Sequence, residues 1–191
     1  MFIYLASQSP RRRELLEQIG VDYQVISVDV EESRQSGELA ADYVQRLSKD
    51  KAMAGALTKH DNPVLGADTI VVLEGSVLEK PISEEHAVAM LLRLSGNTHQ
   101  VMTAISVVFQ EKIHTRMNIT SVRFRAISEI EAREYWATGE SKDKAGAYGI
   151  QGKAAVFVEE IQGSYSAVVG LPLFETASLL SDLQMKVDAD K

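Results

Sequence analysis

Not one of the 191 residues is cysteine. That absence excludes disulfides, thiolate metal sites and a cysteine nucleophile. Apolar runs of membrane-spanning length are missing as well. The opening run Met1-Phe2-Ile3-Tyr4-Leu5-Ala6 is cut off by Ser7-Gln8-Ser9 and has no basic residues before it. It therefore reads as a buried strand rather than a signal peptide, and the expected compartment is the cytoplasm, with no membrane partner. Repeats, low-complexity tracts and linkers are also lacking. Aromatic residues make up only 6%, and positive charge is in deficit, with a net charge of −7. Nucleic-acid binding needs clustered Lys and Arg, and stacking platforms for single strands, so nucleic acid is not an expected partner. An anionic ligand would need positive charge gathered locally against this background.

What is present is enough apolar material, 45% of residues, for one sizeable core. Residues 1–191 read as a single domain whose tail, 185–191, is expected to fray. The opening strand runs into Ser9-Pro10, an N-cap followed by a first helical residue, and Gly20 ends that helix. Residues 21–30 are strand-like. Residues 38–59 carry Ala40, Tyr43, Val44, Leu47 and Ala54 on roughly one helical stripe. A buried strand spans 63–73, and a turn at Glu74-Gly75-Ser76 leads to a short strand ending at Lys80-Pro81. Ser83 caps the next helix, with Ala87, Met90, Leu91 and Leu94 inward. Two long strands follow, about 98–110 and 112–125, and a slip of alternation near Thr120-Ser121 suggests a bulge. Ser128 and Glu131 form a capping box for a helix ending at Gly139. The segment 139–152 is glycine-rich, a strand is expected over 154–161, and Pro172 opens the last helix. The alternation of strands and helices around a long hairpin indicates an α/β fold with a mixed sheet.

Several residues stand out against this frame. Arg11-Arg12-Arg13 crowd three cations into the first turn of a helix, where the backbone already presents partial positive charge. With Ser7 and Ser9 they could cradle phosphate, or they could face water and pair with Glu14 or Glu17. The glycines and Gly-Lys-Ser/Thr ending of a P-loop are not there. Asp68 is a lone carboxylate in Val64–Leu73, an otherwise apolar run, and is costly to bury without a partner, a metal or a ligand. Gly66 and Ala67 would leave room beside it. Lys51 lies on the apolar stripe of its helix, where a snorkelling lysine is the plain explanation. Glu31-Glu32 and Lys80-Pro81 read as solvated turns when taken alone. In Asp143-Lys144-Ala145-Gly146-Ala147-Tyr148-Gly149-Ile150-Gln151-Gly152, Tyr148 could stack on a base and Gln151 could bond its edge. Taken together, an anion cradle, lysines, carboxylates and a base-sized loop fit metal-assisted attack on a phosphoanhydride. The histidines, His60, His86, His99 and His114, are scattered and receive no role.

These blocks resemble the Maf family of nucleoside triphosphate pyrophosphatases over nearly the whole chain. The shared blocks are Leu5-Ala6-Ser7-Gln8-Ser9-Pro10-Arg11-Arg12, Glu31-Glu32, Lys51-Ala52, Gly66-Ala67-Asp68-Thr69, Lys80-Pro81, Leu94-Ser95-Gly96, Val101-Met102-Thr103-Ala104, 143–152 and Val169-Gly170-Leu171-Pro172. The resemblance implies a two-lobed α/β domain around a mixed, twisted sheet, with the active site in the cleft between lobes. It implies hydrolysis of a nucleoside triphosphate to monophosphate and pyrophosphate, with Asp68 accepting the proton of water. Ser7, Arg12, Glu32, Lys51 and Lys80 match positions that line the family's site. Arg12, Thr69 and Gln151 match the branch selective for dTTP and UTP. On this basis Glu32 and Asp68 are the expected ligands of a divalent cation, Mg²⁺ or Mn²⁺. Asp68, Lys51 and Lys80 are the expected catalytic groups. Ser7, Ser9, Arg11, Arg12, Thr69, Asp143, Lys144, Tyr148 and Gln151 are the expected substrate contacts. Family members are often homodimers and have been linked to arrest of cell division. The alternatives are the same chemistry on a different or modified base, and a nucleotide-binding division regulator with little turnover.

Overall fold

A mixed sheet of seven strands organises the chain. The computed structural model describes residues 2–59 and 61–189, with backbone alone for 186–189. The strands are β1 (Phe2–Ala6), β2 (Asp22–Val25), β3 (Val64–Leu73), β4 (Ser76–Leu78), β5 (Thr98–Phe109), β6 (Lys112–Phe124) and β7 (Val158–Gln162). Their order is β2-β1-β3-β5-β6-β7, with β4 paired to β3. β1 runs parallel to both β2 and β3, whereas β4 is antiparallel to β3 and β7 is antiparallel to β6. The helices are α1 (Pro10–Gln18), α2 (Ala40–Ala56), α3 (Glu84–Leu94), α4 (Glu129–Ala137), α5 (Tyr165–Val169) and α6 (Leu173–Ala189). The expected α/β class with a mixed sheet is the observed one. The chain groups into two compact units, one of Met1–Asp68, Thr103–Asn118 and Gly170–Lys191, the other of Thr69–Met102 and Ile119–Val169.

In the first unit β1 is flanked on both edges, so Ile3 through Ala6 are buried without alternation, as in a parallel sheet's interior. α1 begins at Pro10 and buries Arg12, Leu15 and Leu16. Ser9 stands at the N-cap but its hydroxyl makes no capping bond; instead its N–H donates to Ser7 Oγ at 3.3 Å. α2 buries Tyr43, Val44, Leu47, Ser48, Lys51, Ala52 and Gly55, a stripe at helical spacing. It starts at Ala40 rather than 38, because Glu38 is engaged outside the helix by Arg46 and by the Gln35 N–H. The strand expected over 21–30 is real only over Asp22–Val25. β2 has β1 as its only partner in the strand order, and β1 ends at Ala6. After one more bond, Ile26 N–H to Leu5 O at 2.9 Å, the chain leaves the sheet. Ile26 and Val28 then pack on Tyr4, Ala6 and Val64, which directs the following loop towards α2.

In the second unit the caps follow the sequence. Ser83 Oγ accepts the His86 N–H, and Ser128 and Glu131 form the full capping box. α3 turns Ala87, Met90, Leu91 and Leu94 inward as expected. The expected strand over 154–161 instead begins as a 3-10 turn, Lys153–Phe157, and becomes extended only at Val158. The register irregularity between β6 and β7 falls between Arg123 and Phe124, not at Thr120-Ser121. At that earlier position Thr120 Oγ1 accepts the Ser164 N–H at 2.9 Å. Aromatic rings meet here: Phe124 stands edge-on to His99 and Tyr148, and Phe157 to Tyr135. α6 of the first unit forms behind Pro172, whose carbonyl accepts from Thr176 Oγ1 at 2.8 Å, with Leu179, Leu180 and Leu183 buried. Of the tail expected to fray over 185–191, residues 185–189 continue the backbone of α6 and 190–191 lie outside the described residues. Among the described residues no helix is long and apolar enough to cross a membrane.

Candidate active site

The lone carboxylate of β3 is buried and paired. Lys51 Nζ donates to Asp68 Oδ1 at 2.6 Å and lies 2.7 Å from Glu32 Oε1. One ammonium thus joins two carboxylates that are 36 residues apart in sequence. Lys51 is 9% exposed and does not snorkel; its charge has a buried partner, Asp68, instead. A missing side chain makes this meeting possible. A Cβ on Gly66 would stand 2.4 Å from Ser48 O and 2.5 Å from Ala52 N. The space beside Gly66 is therefore filled by the backbone of α2, not held open for a ligand as the sequence suggested. That close approach sets the turn of α2 bearing Lys51 against β3, and Asp68, two residues on, shares the face of Gly66. Glu32 arrives from the irregular loop after β2, and its side chain is half exposed.

Of the three arginines in α1, only Arg12 is buried. Its Nε donates to Gly170 O at 2.8 Å and its Nη1 to Ser7 Oγ at 3.0 Å. Burial lowers the Arg12 pKa from its ordinary value, Asp68 and Glu32 oppose that shift, and Arg11 adds to it. Arg12, Lys51, Asp68 and Glu32 are hence one electrostatic group, and their four formal charges cancel. Arg13 is exposed and Arg11 is half-buried. Of the three, Arg12 is the one built into the fold, with Ser7 as its hydroxyl partner. The role of the Gly170 carbonyl was not legible, although the block 169–172 was noted.

A neutral group cannot by itself balance a triphosphate, and this bears on the expected cation. The Asp68 and Glu32 oxygens touch the same ammonium, so one small cation could reach both. Oxygen ligands of this kind suit Mg²⁺ or Mn²⁺. Among the described residues there is no cluster of three or more His, Asp or Glu able to hold a metal. The two carboxylates therefore fit a cation that draws its remaining ligands from water and phosphate, as Mg²⁺ commonly does.

The remaining expected residues belong to the second unit. Thr69 is half-buried and, as the next residue of β3, projects to the face opposite Asp68. Lys80 is exposed beyond β4, which ends at Leu78. Asp143 and Gln151 are exposed. Lys144 is not presented outward: its Nζ donates to Glu140 O and to Asp143 Oδ1, and its stem runs under Gly149. It fastens the loop rather than offering a free cation. Tyr148 needs a correction. It is 5% exposed, its hydroxyl is 2.8 Å from His99 Nε2, and its ring stands edge-on to His99 and Phe124. An aromatic residue in a glycine-rich loop suggested a stacking platform, yet the ring is in the core and burial raises its hydroxyl pKa. The loop is ordered, as expected. Gly149 N–H donates to Tyr135 Oη at 3.0 Å, and Glu140 Oε2 accepts the Lys153 N–H at 2.8 Å. A Cβ on Gly152 would lie 2.0 Å from that carboxylate oxygen.

The α/β fold thus places a buried lysine that bridges two carboxylates beside a buried arginine at a helix start. The model of the Maf-like protein family matches residues 2–183, and the chain belongs to that family. A dTTP/UTP pyrophosphatase of Saccharophagus degradans is 62% identical over 97% of this chain and 90% of its own length. One of Yersinia pestis is 57% identical over 94% of this chain and 91% of its own. One of Photorhabdus laumondii is 54% identical over 97% and 96%.

Proposed function

We propose that this chain hydrolyses dTTP and UTP to the monophosphate and pyrophosphate, the activity for which the relatives are named. The observation that carries the reading is the Lys51 ammonium held between Asp68 and Glu32, beside buried Arg12. A structural ion pair needs one carboxylate. A second carboxylate and a second buried cation suit a site that must rearrange its charges around an incoming polyanion.

A divalent cation bound through Glu32 and Asp68 would polarise phosphate oxygens and make the attacking water more acidic. The protein's own groups do the rest. Asp68 orients the water and accepts its proton as the water oxygen bonds to the α-phosphorus and the α–β anhydride bond breaks. Pyrophosphate leaves with the bridging oxygen. Lys51 fixes the Asp68 carboxylate by holding Oδ1, which leaves the orientation of the base set before substrate arrives. Arg12, its guanidinium plane fixed by Ser7 and Gly170, supplies planar donors for phosphate oxygens, and Lys80 adds a point charge. Thr69 and Gln151 are assigned to the pyrimidine, the latter through its exposed amide.

The test is a panel of nucleoside triphosphates with and without Mg²⁺ or Mn²⁺, with products separated by ion exchange. Monophosphate and pyrophosphate should form, fastest from dTTP and UTP and only with metal. In the Gln151→Ala variant kcat/KM should fall more for dTTP and UTP than for purine nucleotides. Preference for another base would reject the pyrimidine assignment, and metal-dependent binding without products would reject the reaction.

A further inference from the structure

Glu32 lies on a loop without regular structure, so its carboxylate has no strand or helix to aim it. Two α2 side chains fasten that loop. The Tyr43 hydroxyl donates to Glu32 O at 2.5 Å, while the ring is buried. One turn on, Arg46 Nη2 donates to Ser33 O at 3.0 Å, and Arg46 holds both oxygens of Glu38 at 2.7 and 2.9 Å. The loop closes on itself around the same residue, with Gln35 N–H donating to the carboxylate oxygen Glu38 Oε2 at 3.0 Å and Arg34 Nε to the backbone carbonyl Glu38 O at 2.9 Å. The Arg46 guanidinium lies 5.5 Å from the Tyr43 ring centre, so the two fasteners also brace each other. Asp50, four residues on, meets Arg46 Nη1 at 3.4 Å from the other side. Tyr43, Arg46 and Asp50 all sit on α2, the helix that also carries Lys51.

We infer that Tyr43 and Arg46 are positioning residues for the proposed reaction, holding the carbonyls of the two peptides that follow the Glu32 Cα so that the Glu32 carboxylate meets Lys51, the partner of Asp68. The inference rests on Glu32 helping to hold the divalent cation. Neither residue touches substrate; they act through the loop. Their arrangement is unlike a plain surface network. Two of the bonds from Tyr43 and Arg46 go to consecutive backbone carbonyls, Glu32 O and Ser33 O, besides the Arg46 pair with the Glu38 carboxylate. Backbone fastening leaves the Glu32 side chain available at the site while fixing its Cα. Loss of a residue that orients a metal ligand commonly weakens metal binding or activity about 10–100-fold.

The experiment uses the full chain and Mn²⁺ as probe. Free Mn²⁺ is followed by electron paramagnetic resonance in the presence of α,β-methylene dTTP, and pyrophosphate release is measured as a function of Mn²⁺. Tyr43→Phe removes one hydroxyl and keeps the buried ring; Arg46→Gln removes the fork. Both should raise the Mn²⁺ half-saturation about 10-fold or more, with kcat at saturating Mn²⁺ falling much less. Arg46→Lys should lie between, since an ammonium can pair with Glu38 but cannot also reach Ser33 O in the same geometry. Arg133→Gln, which cuts a surface network to Glu84 and Glu129 in the second unit, is the stability control. If Tyr43→Phe and Arg46→Gln lower Tm yet leave the Mn²⁺ constant as in the control, the positioning role is overturned. Glu32→Gln separates this from the parent reading. A weakened Mn²⁺ constant in Glu32→Gln alone removes Tyr43 and Arg46 while keeping Glu32 as a ligand. An unchanged constant in Glu32→Gln overturns both.

Discussion

At Asp68 a single oxygen-for-nitrogen exchange separates folding from chemistry. Asp68→Asn keeps the size of the side chain and its place against Lys51 but cannot accept a proton from water. Turnover should fall about 100-fold or more, the usual loss for a missing general base, while nucleotide binding and thermal unfolding stay near normal. Pyrophosphate release and equilibrium binding measured on one preparation decide it; near-normal kcat would remove Asp68 from the mechanism. This residue was legible beforehand because one charge in ten apolar residues demands a reason. The pairing of Lys51 was not, because a lone lysine on a helical stripe looks the same whether it snorkels or is paired. Its partners come from a loop and a strand that only the three-dimensional fold brings together. Tyr148 misled for the opposite reason. Glycines on both sides suggested a loop that a ligand could approach closely, yet they let the chain turn tightly enough to send the ring inward.

Among the elements, the approach of α2 to β3 is the one on which the site depends. Gly66→Ala would place a methyl group within 2.4 Å of Ser48 O and 2.5 Å of Ala52 N. Backbone cannot swing aside like a flexible side chain, so α2 must shift and carry Lys51 with it. Overpacking of this kind costs about 1–3 kcal/mol, and kcat should drop with Tm even though the methyl touches no catalytic atom. A variant with unchanged Tm and kcat would show that α2 has slack at this contact. Helix boundaries were legible wherever a cap is chemical, as at Ser83, Ser128 and Pro172. They were less so where tertiary bonds decide, as at residues 38–40, where Glu38 is claimed by Arg46 before the helix can use it. The length of β2 could not be read either, since an apolar run does not reveal where its neighbouring strand ends.

For the molecule as a whole, His99 links stability to pH. Burial lowers its pKa to about 4 from an ordinary 6.5, and Nδ1 is buried without a hydrogen-bond partner. The folded protein therefore holds His99 neutral, while the unfolded chain takes up a proton below about pH 6.5. Stability from this group is fully present above pH 6.5 and is lost as pH falls from there towards 4. Denaturant unfolding of the wild type and His99→Gln between pH 7.5 and 4 should show a shallower acid decline in the variant. Parallel declines would show that His99 does not carry this dependence.

The same His99 pairs with Tyr148, three residues before Gln151, and this matters to anyone redesigning base preference. The segment 143–152, proposed to read the base, is not a detachable loop. Gly146 N–H donates to Glu79 O at 3.2 Å, Gly149 N–H to Tyr135 Oη, and Glu140 clasps the turn at Gly152. Transplanting 143–152 from a relative with another preference would import a Tyr148 equivalent cut to fit a different socket. A graft that travels with its socket, the counterparts of Glu79, His99, Phe124, Tyr135 and Glu140, respects the joinery; the ten residues alone do not.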